Sequence, residues 1–125
     1  LFRSEKIVFA VDFVAAGTMP GRGMIDSYPV EWEASLKRLL AMDWDRLIPG
    51  HPGPGGRLGT KKDVQDYLSL LQDASAEMKA LALEGKCWDT AEKDMKLEKW
   101  KSYPGFEAGL PFVARRYCGL WGRGT

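Results

Sequence analysis

Two side chains in this sequence have the chemistry to hold a metal ion or move a proton. His51, the sole histidine of the 125-residue chain, sits in "RLIPGHPGPGG". Imidazole is the commonest transition-metal ligand and the usual general base near neutral pH. Pro49 ends an apolar run and Gly50 permits a sharp turn, so the ring is projected from a constrained position. Asp12 interrupts the apolar stretch "KIVFAVDFV". A carboxylate carried into an apolar interior must be paired, neutralised or bound to a cation; at a strand's open end it caps the following loop instead. Taken singly, each residue has an ordinary structural account. Together they place two metal-compatible groups, each ending a strand, with a helix between them.

The elements that position them follow from periodicity. In residues 6–14 both alternating sets are apolar apart from Asp12: Ile7, Phe9, Val11 and Phe13 on one side, Val8, Ala10 and Val14 on the other. Such a pattern predicts a strand covered on both faces. Residues 15–29, with three glycines and two prolines, predict a loop. From Val30 to Met42 the period turns helical, with Trp32, Leu36, Leu39 and Leu40 on one face. "DRLIPGH" predicts a short strand stopped by Pro49. Thr60 with Asp63 three residues on is a capping-box-like start for a long helix through Val64, Leu68, Leu71, Met78 and Ala82 to a stop at Gly85. Asp89 with Glu92 predicts a mixed-charge, exposed helix over "TAEKDMKLEKWKSY", and Pro111 the first turn of a last one carrying Val113, Tyr117, Leu120 and Trp121. The class is α/β, with helices dominating after residue 60 and the candidate ligands at the carboxyl ends of both strands, where open α/β sheets place their sites.

Totals exclude several functions. With 18 basic and 17 acidic residues the net charge is +1, which gives no reason to expect nucleic acid. No apolar run reaches the roughly 18 residues of a membrane span. Residues 1–125 predict a single domain, and because an element is already under way at Leu1, part of a larger one; compartment is not readable. Cys87 and Cys118 leave a disulfide open and exclude a four-cysteine zinc ribbon, two reduced thiols being the expectation for so few cysteines.

"KIVFAVDFV", the amphipathic "WEASLKRLL", "DWDRLIPGHPGP" and the later "DYLSLL" together resemble the C-terminal half of a metallo-β-lactamase-fold hydrolase, over roughly residues 5–85. The resemblance implies half of an αββα sandwich. It implies that Asp12 is the strand-end aspartate bridging two metal ions, zinc by preference, and that His51 is the Pro-Gly-His ligand of the second ion. It also implies metal-assisted hydrolysis of a small-molecule ester, lactam, thioester or phosphoester through an activated bridging water. Pro52 replaces the family's usual glycine, and the His-x-His-x-Asp-His motif and a further ligand histidine are absent. A stable zinc site needs three or four protein ligands, so the chain alone is expected to be inactive: half a site. The loop at 17–23 with Tyr28 and Trp32 is expected to border the substrate.

A rival from another class is a non-catalytic interaction module. An incomplete sandwich exposes apolar sheet surface, which favours a homodimer or association with the missing N-terminal half. A third reading, phosphate held by "GHPGPGGRLGTKK" with Lys61 and Lys62 at a helix start, lacks either established glycine-rich phosphate motif.

Overall fold

The computed structural model describes residues 1–87 and 90–123. The elements run β1 (Ile7–Ala10), α1 (Pro29–Ala41), β2 (Arg46–Pro49), α2 (Lys61–Leu83), α3 (Ala91–Asp94) and α4 (Phe106–Arg123), with 3-10 turns at Arg22–Asp26, Pro54–Gly56 and Glu98–Trp100. The chain is thus mixed α/β, and every labelled element after residue 60 is a helix. The two strands form one small parallel sheet, Ile7 opposite Arg46 and Ala10 opposite Pro49, with α1 as the crossover.

Pro29 opens α1 with its φ already suited to a helix. Leu36 and Leu39 bury its inner face. Just beyond it, the buried Trp44 indole donates to the Leu39 carbonyl at 2.7 Å, so the apolar ring enters the core with its N–H satisfied. The capping box of α2 forms as expected: the Thr60 side chain accepts from the Asp63 backbone N–H, and the Asp63 carboxylate accepts from the Thr60 N–H at 2.8 Å. At the other end Gly85, at φ +75°, lets the Lys86 and Gly85 N–H groups reach the Leu81 and Ala82 carbonyls, a Schellman stop. Val64, Leu71 and Met78 of α2 pack into one core with Val113, Ala114 and Tyr117 of α4.

Among the secondary-structure elements, the structure corrects four expectations. First, β1 spans only Ile7–Ala10, because Asp12 takes a left-handed φ of +59° and turns the chain. Second, only one face of the sheet is covered. Val8, Ala10 and Leu47 are buried in the core they share with helix residues, whereas Phe9 is 55% exposed, Val11 50% and Ile48 36%. Third, the stretch from Thr90 to Tyr103 is no continuous, exposed helix. The Glu77 carboxylate on α2 accepts the backbone N–H groups of Lys96 and Leu97, Leu97 adopts a φ of +42°, and Met95, Leu97 and Trp100 are buried. Asp89 lies outside the described residues. Fourth, Pro111 falls inside α4, which begins five residues earlier at Phe106; the carbonyl left without a Pro111 N–H belongs to Glu107, an exposed residue that water can serve.

Cys87 and Cys118 are joined in a disulfide, with Cα atoms 5.6 Å apart, against the expectation of two free thiols. The bond ties the segment just after α2 to the buried side of α4.

Candidate functional site

Parallel pairing brings the two candidate residues together. Ala10 is opposite Pro49, and two residues further along each strand stand Asp12 and His51, so the register that builds the sheet also aligns them. Nε2 of His51 lies 3.0 Å from Oδ1 of Asp12. The convergence depends on local backbone. Asp12 is the middle residue of a tight turn in which the Phe13 N–H donates to the Val11 carbonyl at 2.7 Å. A left-handed φ is uncommon for a residue with a side chain, and Asp is among those that tolerate it. Gly50 is required by close approach: a Cβ there would stand 2.4 Å from Oδ1 and 2.7 Å from the backbone nitrogen of Asp12. The histidine loop is closed at its base by reciprocal Leu47–Gly59 hydrogen bonds of 2.9 and 2.8 Å. On the aspartate side, the Trp32 indole N–H donates to the Phe13 carbonyl at 2.6 Å, fastening the turn to α1.

The pair is not a stability device. The side chains are 77% and 67% exposed, and ion pairs in water contribute little to folding. Of the two accounts the sequence allows for Asp12, the exposure fits a residue just past a strand's open end and not a carboxylate carried into the interior. As metal donors, one imidazole nitrogen and one carboxylate oxygen suit zinc, and two tetrahedral ligands at ordinary bond lengths lie roughly 3.3 Å apart, close to the observed spacing. The number falls short. Among the described residues no group of three or more His, Cys, Asp or Glu side chains converges to hold an ion.

Two cavities meet at Asp12. A shallow one of about 490 Å³ is lined by Val11, Phe13, Tyr28 and Trp32, so both aromatic residues expected near a substrate border the site. A more enclosed one of about 570 Å³ has both Asp12 and His51 in its wall, with Met19, Met24, Trp32 and Tyr67. Met19 and Arg22 belong to the 17–23 loop expected to border a substrate, and both line this cavity; Tyr67 and Met24 are not singled out by the sequence. Tyr67 carries a signal in its position one residue before Leu68 on α2; Met24 carries none, since only tertiary folding turns it toward the strand ends.

The basic residues proposed for phosphate are engaged elsewhere. Lys61 Nζ donates to the Met42 carbonyl at 2.9 Å and lies over the Trp44 ring, and Lys62 pairs with Asp66 at 2.6 Å. The start of α2 already holds an anion, Asp63, whose two oxygens accept from Arg57 at 2.9 and 2.7 Å. That bidentate pairing, with help from Thr60 and against the cost of burial, holds the Asp63 carboxyl down at about 2.

Set against known protein families and curated proteins, the chain matches no family model and no curated protein.

Proposed function

We propose that Asp12 and His51 are two ligands of a metal centre whose other donors come from outside residues 1–125, and that the parent is a metal-dependent hydrolase of the metallo-β-lactamase type. The 3.0 Å approach of the two side chains at matching positions beyond parallel strands carries the reading. Gly50 supports it, because the approach to Asp12 leaves no room for a Cβ. In the fuller fold the described sheet is half of a sandwich, its exposed face turned to the other half. Zinc, bound by the completed donor set, supplies Lewis acidity and an activated water near neutral pH. The chain's own contribution is positional: Gly50 admits the carboxylate, the Leu47–Gly59 pairing holds the imidazole loop, and Trp32 fixes the turn carrying Asp12.

The test is zinc-dependent hydrolysis of 4-nitrophenyl acetate and of a thioester. Residues 1–125 alone give no rate above buffer. Joined to the upstream segment that supplies the remaining donors, the chain gives a rate that Asp12→Asn and His51→Ala each lower by about 100-fold or more. A rate indifferent to both substitutions contradicts the assignment.

A second reading, an interaction module without catalysis, is favoured by the uncovered face bearing Phe9, Val11 and Ile48. It expects light scattering to show a dimer that Phe9→Lys disperses; a clean monomer at high concentration counts against it.

A further inference from the structure

We propose that the enclosed cavity bordered by Asp12 and His51 binds a small aryl carboxylate, its ring among Met19, Met24 and Trp32 and its carboxylate on Arg22. As a statement about substrate the inference rests on the half-site reading above; as a statement about binding it stands on the cavity alone. The volume, about 570 Å³, is in the range of small-ligand pockets. Its apolar wall is formed in advance: Val14, Met19 and Met24 are buried in the core, and Trp32 is fixed through its N–H on Phe13 and its ring 5.8 Å from that of Tyr67. A preformed wall spares a ligand the entropy of ordering it. Methionine sulfur packs favourably against aromatic rings, which favours an aryl body over a plain alkyl one.

Charge selects the other end. Arg22 lines the same cavity, is exposed, and makes no ion pair among the described residues, unlike Lys6, Arg57, Lys62 and Lys99. Asp12 is the sole acid in the wall, and His51 stands against it at 3.0 Å, which leaves the guanidinium for an external anion. One guanidinium in a wall that also holds one carboxylate suits a monoanion. A phosphate monoester brings about −1.5 to −2 charges and would meet Asp12 with greater repulsion.

The experiment is a titration of the 125-residue chain with 4-phenylbutyrate, without metal, followed in ¹⁵N–¹H spectra. The expected result is a saturable shift of the Trp32 indole N–H and the Met24 amide, with a Kd on the order of 1 mM. Arg22→Glu, a surface change, weakens 4-phenylbutyrate by about tenfold and leaves 4-phenylbutan-1-ol within about twofold. Tighter binding of 4-phenylbutylamine or phenyl phosphate, shifts confined to residues outside the cavity, or an unchanged Kd in Arg22→Glu overturns the proposal. Zinc added to a separate sample reads the His51 ring. Zinc failing while 4-phenylbutyrate binds removes the half-site reading and keeps the cavity; the converse removes the cavity assignment alone.

Discussion

Around α2 and α4 the chain closes on itself, whereas around β1 and β2 it stays open. The helical region buries Leu71, Met78, Val113 and Tyr117 completely, is crossed by the Cys87–Cys118 bond, and fastens the 95–100 segment to α2 through Asp73 and Glu77. The strand region is one sheet two strands wide, leaves Phe9 and Val11 half-exposed, and sets its two polar side chains in solvent. The difference separates two tasks. The helical region holds most of the buried core, to which the strands add Val8, Ala10 and Leu47; beyond the strand ends, backbone strain at Asp12 and a mandatory glycine at position 50 go into a geometry that buries neither polar side chain.

If that division is right, damage to the helical region is large and damage to the strand ends is small. Leu71→Ala removes a fully buried side chain at the centre of α2 and is expected to cost about 2–5 kcal/mol in denaturant unfolding. Reducing the disulfide, which closes a separation of 31 residues, costs about 3–4 kcal/mol in the chain-entropy account, measured as a lower Tm in reductant. Asp63 ranks next. Its carboxyl, held at about 2 by Arg57 rather than the ordinary 3.8, contributes stability that is fully present above pH 4 or so and is lost as pH falls toward 2. The contribution is on the order of 2 kcal/mol, and Asp63→Asn removes that part of the acid limb of a stability–pH profile. Smallest of all, Asp12→Asn, which keeps a residue tolerant of left-handed backbone, and His51→Ala shift Tm by no more than about 2 °C. A large loss from either would erase the contrast and make the pair structural.

Much of this was legible because the signals are local. The 3.6-residue period of Trp32, Leu36 and Leu39, the Thr60–Asp63 box and the Gly85 stop each act within a few residues and are found where the sequence puts them. The candidate pair was legible for the same reason: each residue ends its own apolar run. What the sequence hid is tertiary. Alternation in β1 says that both faces are apolar, not whether anything covers the second one. The helix expected across 90–103 is broken by a carboxylate from α2, a competitor for backbone N–H groups that no local window contains. Pro111 reads as a first-turn residue, yet α4 begins at Phe106 and carries it further in, where the carbonyl lacking its N–H partner belongs to the exposed residue Glu107. The pairing of two cysteines 31 residues apart is likewise a fact of packing.

The most direct measurement is a zinc titration of the intact chain followed on the carbon-bound ring protons and ring nitrogens of His51, which need no assignment because the sequence has one histidine. The account predicts a saturable zinc-dependent shift centred on Nε2, weak because only two donors are present, and weakened about tenfold further by Asp12→Asn. A His51 ring that ignores zinc, or one that binds it equally well with asparagine at position 12, contradicts the account.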